Sequence, residues 1–365
     1  MSRVTLSSEN TTVLIGSNPA YKTSDETGVL FGGVQTASFS LPQTRQTRKQ
    51  LGSCYYAVDD LVRHPDINLE INYLYSPTMA NERLLGLNIN TEFIEEGPIT
   101  ASGDFISGVD DQSYNFYFYN HPEKGIDALD YLTSDEVDTP NTGEIICFGN
   151  AYLTQYSLSF ANRALPTAAV SFKCCNMKAE NYIGDIQTPA INLSAGNDRW
   201  GGNLDVSETV SVEADFYGPT IDLDLKEPIT SRPGDLILQL QDLQVGGQDI
   251  SGDHIIQSLS INFPIERVDL HGLGSDYVRG RKMQYPVRGN LSIASLVSKY
   301  ETGIISGLLK NESTYDFIVT AQSCNKEISS KFEFDDLKLE TFDYSMTVNE
   351  DMQYSATFSF SMDNK

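Results

Sequence analysis

Ile256–Ser275 reads IQSLSINFPIERVDLHGLGS, and Val34–Ser53 reads VQTASFSLPQTRQTRKQLGS. One lies on the other without a gap, at a constant offset of 256 − 34 = 222. Gln35/Gln257, Ser38/Ser260, Pro42/Pro264, Arg45/Arg267, Leu51/Leu273, Gly52/Gly274 and Ser53/Ser275 are identical. Val34/Ile256, Thr36/Ser258, Phe39/Ile261 and Leu41/Phe263 keep their character. Downstream, Pro65-x-x-x-Leu69-x-Ile71 is answered by Pro286-x-x-x-x-Leu291-x-Ile293, one residue longer. Elements that return in the same order mark a duplicated module.

Each copy has the same physical grammar. Ala37, Phe39 and Leu41, like Leu259, Ile261 and Phe263, alternate with polar residues. A period near two predicts a strand with one apolar face. Pro42 or Pro264 ends it, because proline has no N–H for a ladder. A polar loop carrying Arg45 or Arg267 follows. Then comes a Leu-Gly-Ser turn, where Gly52 and Gly274 supply a positive φ or room for a neighbour. Ala57–Arg63 predicts a short helix, and a second strand begins after Pro65 or Pro286.

The module also closes alike in both halves. Glu144–Cys175 predicts a β-hairpin turning at Ala161–Pro166, and Phe332–Met362 is its counterpart. Aligning Phe148 with Phe334 sets Leu153 against Leu339, Ser159 against Ser345 and Phe172 against Phe358, with the second turn at Asn349–Met352. The middle is less regular. Ser113–Tyr119 predicts an aromatic strand and Glu123–Thr133 a helix with Ile126, Leu129 and Leu132 on one face. Asp185–Asp205 reads as a linker or long loop. Val206–Phe216, Leu236–Leu243 and Thr314–Gln322 read as strands. The expected division is 1–178 and 179–365.

Composition agrees with a mainly β chain. Among 365 residues, 27 Gly, 19 Tyr and 17 Phe favour strands and turns. The net charge of −25, from 25 basic and 50 acidic residues, argues against binding nucleic acid by phosphate neutralisation. Such acidity serves solubility or a surface that repels DNA. No apolar run approaches the roughly 18 residues of a membrane span, and the N-terminus lacks the apolar core of a signal peptide. A cytosolic origin is expected. Cys54, Cys147, Cys174, Cys175 and Cys324 form no CxxC pair and read as free core thiols. Cys174 and Cys175 are adjacent at a strand end, so at least one should face outward.

No catalytic constellation emerges. His64, His121, His254 and His271 lack metal-ligand spacing. GxSxG, GxxxxGK[ST] and GxGxxG after a strand are absent. Asp110-Asp111 and Asp222-Leu223-Asp224 lack the register of a calcium loop. No cofactor, metal or catalytic residue is therefore assigned. Arg45 and Arg267, at the same place in both copies, either pair with an acid to hold their loop or touch a neighbouring subunit. Gln35, Arg45, Gly52, Gln257, Arg267 and Gly274 are the subunit-interface candidates.

The pattern QxxSFSLPxxR…LGS with PxxxLxI, the Arg232-Pro233-Gly234-Asp235 lead-in, and the closing hairpins with AVSF and ATFSF resemble the tail tube (major tail) proteins of long-tailed bacteriophages. The resemblance covers about half the chain. It implies two tandem β-sandwich or barrel domains, each with a short helix. Such domains pack side by side into rings whose inner strands merge, and the rings stack into a hollow tube. Most members have one domain and form hexameric rings; a doubled module implies a trimer with pseudo-sixfold symmetry. The implied partners are other copies of the chain and other tail proteins (tape measure, sheath or terminator, baseplate). DNA would pass through the lumen unbound, past a carboxylate-lined wall. The implied location is the virion tail, assembled in the host cytoplasm, with no membrane. The other readings are a receptor- or carbohydrate-binding β-sandwich with an exposed aromatic cluster at Tyr114–Tyr119, and a hydrolase with carboxylates in a groove.

Overall fold

The computed structural model describes residues 11–17, 26–42, 45–49, 56–61, 66–90, 99–101, 105–110, 112–120, 144–181, 186–187, 209–212, 236–241, 244–245, 248–249, 255–271, 278–296, 315–322, 329–346 and 352–362. Strands dominate. The first half runs β1 (Thr11–Ser17), β2 (Glu26–Leu30), β3 (Val34–Ser40), β4 (Arg45–Lys49), β5 (Tyr56–Leu61) and β6 (Ile67–Leu74). Helix α1 (Ala80–Leu84), β7 (Ile89–Asn90), β8 (Ile99–Ala101) and β9 (Tyr114–Asn120) follow. β10 (Glu144–Ala161), β11 (Thr167–Cys174) and β12 (Asn176–Asn181) complete it, β12 running across position 178. Next come β13 (Ile186–Gln187), β14 (Thr209–Val212), β15 (Leu236–Gln241), β16 (Gln244–Val245) and β17 (Gln248–Asp249). The remainder is β18 (Ile255–Pro264), β19 (Arg267–His271), β20 (Val278–Met283), β21 (Val287–Leu296), β22 (Tyr315–Gln322), β23 (Ser329–Ser345) and β24 (Gln353–Met362).

The principal ladder is antiparallel, in the order β3-β6-β11-β10-β18-β21-β24-β23. Its first four strands and its last four share one register. Phe39 faces Leu69, as Ile261 faces Leu291. Phe172 faces Leu69, as Phe358 faces Leu291. Leu153 faces Phe172, as Leu339 faces Phe358. The irregularities coincide too: Val34/Thr36 with Ile256/Ser258, and Leu153/Gln155 with Leu339/Thr341. Bulges bend a strand and raise its twist, so matching bulges give the two runs the same curvature.

β10 and β23 are long because each serves two layers. Their proximal halves leave the ladder to pair with β9 and β22, which in turn pair with β1 and β15. At each corner a left-handed residue turns the strand: Asn150 with φ 50° and Asp336 with φ 57°. The Asn150 N–H donates to Asn115 Oδ1 at 3.1 Å, and the Asp336 N–H to Asp316 Oδ1 at 3.0 Å. Asn and Asp tolerate this backbone region better than most residues, and the side-chain acceptor satisfies an N–H that the bulge frees. β12 pairs antiparallel with β10, whereas the matching edge of β23 takes β8 in parallel.

Between the layers lies one apolar cluster drawing on both halves, from Val13 to Met362. The segment after β6 packs across it. Phe105 lies against Tyr156, Phe263 and Phe332 at 5.3, 5.7 and 5.8 Å between ring centres. Tyr75 Oη shares a 2.6 Å hydrogen bond with Ser330 Oγ.

Three local expectations are corrected. Ala57–Arg63 is not helical: Tyr56–Leu61 is a strand paired with β4. The polar segments after Pro42 and Pro264 are likewise strands, forming the hairpins β4–β5 and β19–β20. Neither Cys174 nor Cys175 faces outward, at 0% and 3% exposure. Cys175 lies at the bend between β11 and β12 and is covered by β20, whose Arg281 Nη1 is 3.3 Å from its Sγ. Burial raises both thiols, so neither has the accessible thiolate of a reactive cysteine. The expected helix at 123–133, the loop at 185–205 apart from Ile186–Gln187, and the turn at Asn349–Met352 apart from Met352 lie outside the described residues.

Candidate subunit interface

The ladder contains one joint that fuses its two halves: the distal part of β10 against β18. Gln155 faces Pro264, Tyr156 Phe263, Ser157 Asn262, Leu158 Ile261, Ser159 Ser260 and Phe160 Leu259. Inward side chains of this joint are sealed, with Tyr156, Leu158, Phe160, Leu259, Ile261 and Phe263 all at 3% exposure or less. Gln257 sits at its rim. Its carbonyl accepts from the Asn162 N–H at 2.8 Å and its Oε1 from Asn162 Nδ2 at 3.3 Å.

Two guanidiniums lock the joint from the β19–β20 hairpin. Arg267 donates to four carbonyls: Leu153 from Nε at 2.7 Å, Asp110 and Arg281 from Nη1 at 2.7 and 3.0 Å, and Val109 from Nη2 at 2.6 Å. Burial lowers its pKa. Arg281 is 2% exposed and reaches Asp66 at 2.5 Å, Asp269 at 3.0 Å and the Lys173 carbonyl at 3.2 Å. Burial pulls its pKa down, but Cys175, Asp66 and Asp269 push it up and prevail. Tyr152 lies between the two, each guanidinium carbon 5.5 Å from its ring centre. Charges this deep remain tolerable because carboxylates, carbonyls and an aromatic face replace their hydration. Arg267 was readable from its repetition. Arg281 was not, because the register partner in the first half is Asp59, opposite Thr47 as Arg281 is opposite Asp269.

Among the described residues the ladder has two ends. β3 pairs only with β6, and the distal part of β23 only with β24. Apolar side chains stand open there: Phe39 at 49%, Leu41 at 40%, Tyr344 at 40% and Met346 at 67%. Gln35 is exposed on β3, its Nε2 donating to the Gly33 carbonyl at 3.3 Å. Arg45 in β4 faces Leu61 as Arg267 faces Met283. Gly52 and Gly274 lie outside the described residues. So the structure brings Gln257 and Arg267 together at the inner joint, and places Gln35 on the open edge.

The face of the ladder turned from the core is rich in Ser, Thr, Asn and Gln. Its charged residues are Glu70, Glu340 and Asp343 against Lys173, Arg288 and Lys338, three of each sign. The chain's acidic excess is not gathered here. Asp110 is structural: its carboxylate accepts from the Met283 N–H at 3.0 Å. Among the described residues no group of three or more His, Cys, Asp or Glu is placed to hold a metal ion, and no helix is long and apolar enough to cross a membrane. The aromatic strand at 114–119 is buried, with Tyr114, Phe116, Tyr117 and Tyr119 at 1% exposure or less.

No protein-family description matches the chain, and no curated protein is recognisably similar to it. Among solved structures it shares a partial likeness with the virion of a native gene transfer agent (GTA) particle, at 13% identity and a TM-score of 0.23. Another is the tail of an empty GTA particle from helical refinement with C6 symmetry, at 16% identity and a TM-score of 0.26. Each match covers 36% of this chain and 97% of the other. Likeness at such TM-scores decides nothing about fold or function.

Proposed function

We propose that this chain is a structural virion protein: a tail tube protein made of two tandem tube domains, 1–178 and 179–365. Its copies join edge to edge into trimeric rings with pseudo-sixfold symmetry. The rings stack into the hollow tail tube of a long-tailed phage, through which DNA reaches the host. Tape measure, sheath or terminator, and baseplate proteins are its partners, and the virion tail is its location. The observation that carries this reading is the ladder of eight strands whose two halves repeat one register and whose two ends are, among the described residues, open and apolar. An open apolar edge invites uncontrolled strand addition, and ring closure removes it. Sealing each half-exposed side chain at such an edge contributes on the order of 1 kcal/mol.

The polar face of the ladder lines the channel in this reading. It offers DNA hydroxyls and amides with balanced charge, which do not grip phosphates. That revises the expectation of a carboxylate-lined wall. The alternative of an aromatic binding surface at Tyr114–Tyr119 loses its basis, since those rings are in the core. Negative-stain electron microscopy of the purified protein tests the proposal. Hollow tubes of uniform width support it; dispersed monomers at high protein concentration refute it.

A further inference from the structure

The inner joint also serves as a template for the contact between chains, an inference that rests on the edge-to-edge reading above. Residues of β10 map onto β23 at an offset of 334 − 148 = 186, the offset kept by the β10–β11 and β23–β24 registers. Residues of β18 map onto β3 at 222. Applying both to the inner pairs sets Phe342 opposite Leu41, Asp343 opposite Ser40, Tyr344 opposite Phe39, Ser345 opposite Ser38 and Met346 opposite Ala37. Four of these, Leu41, Phe39, Tyr344 and Met346, are the exposed apolar residues of the two ends, and their inner counterparts are sealed.

The same mapping carries the buried ion pair across, with its signs exchanged. Arg281 becomes Asp59, because 281 − 222 = 59, and both hold the same register in their hairpins. Asp66 becomes Arg288, because 66 + 222 = 288, immediately before the matched β6 and β21 pairs. We propose that neighbouring chains join β3 to the distal end of β23 with Ser38 opposite Ser345, latched by Asp59 of one chain against Arg288 of the next. The exchange gives each joint its own code. A neighbour's Asp59 cannot replace Arg281 at Asp66, since two carboxylates would meet there without a cation. The inner joint is thereby protected from exchange between chains, while the outer one accepts only a second copy.

Cysteine pairs and charge exchange test this. Facing residues on antiparallel strands approach within disulfide reach. Under mild oxidation S38C/S345C is expected to link chain to chain into a ladder of covalent oligomers. S40C/S345C, two residues out of register, and each single cysteine variant set the background. In the S38C/S345C chain, adding D59R alone or R288D alone should cut linking at least tenfold, and adding both should restore it. Circular dichroism of each variant separates misfolding from lost contact, and a folded double swap no better than the single variants overturns the latch. Linking of S40C/S345C equal to that of S38C/S345C overturns the register. Tubes that form without S38C/S345C linking overturn the joint and leave the tube reading intact. Linked rings that never stack into tubes overturn the tube reading and leave the joint.

Discussion

Glu82 shows how much one side chain contributes. It lies on α1 at 1% exposure, and its Oε1 accepts from Tyr73 Oη at 2.7 Å and Tyr156 Oη at 3.1 Å. Burial raises its pKa above the ordinary 4.5, and the two tyrosine hydrogen bonds offset this only in part. The folded protein then holds this proton more tightly than the unfolded chain. Its contribution is complete below the unfolded pKa and is lost as pH rises through the folded one. Glu82→Gln keeps the acceptor without the charge. The urea midpoint of the native chain is expected to fall relative to E82Q as pH rises from 4 to 8; parallel curves contradict it. The arginines divide by joint. Arg267→Ala leaves buried carbonyls without donors and should cost about 3 kcal/mol in a denaturant titration. Arg45→Ala should leave the unfolding curve within about 0.5 kcal/mol of the native one and weaken assembly instead. Repetition made Arg267 legible in the sequence. Glu82 and Arg281 stand in segments whose two versions differ, so nothing singled them out.

Among elements, β6–β11 and β21–β24 solve the same packing problem with opposite choices. Ile67 faces Cys174, a large residue against a small one, whereas Gly289 faces Phe360. A Cβ added at Gly289 would overlap the Phe360 ring. Gly289→Ile should therefore cost about 1–3 kcal/mol by overpacking, and Phe360→Cys about 3 kcal/mol by opening a cavity beside Phe263 and Phe334. The double variant should lose less than the sum of the two, measured as a coupling in a mutant cycle. Strict additivity would show that the pair does not share the space. The strands of the ladder were legible because one face is apolar and the other polar. β4 was not: Arg45-Gln46-Thr47-Arg48-Lys49 is polar throughout, so no period of two marks the strand. Its backbone pairs with β5 all the same, from Arg45 opposite Leu61 to Lys49 opposite Tyr56.

For the whole molecule, shape and charge lead to separate expectations. The acidic balance invited a carboxylate-lined channel, but charge counted over a chain does not say which face carries it, and the ladder's polar face is balanced. Ser159 and Ser260 face each other on that polar face. Phage carrying S159K/S260K should eject DNA more slowly, with the delay relieved by salt. Unchanged ejection kinetics would mean that this face does not meet the DNA. The proposed assembly rests on the two ends of the ladder that stay unpaired among the described residues, with each chain supplying two units of the proposed ring. The mass of a detergent-free isolated ring, measured by native mass spectrometry, addresses that most directly. Three chains of 40.4 kDa are predicted; a ring of six full chains, or no closed ring at all, would contradict the account.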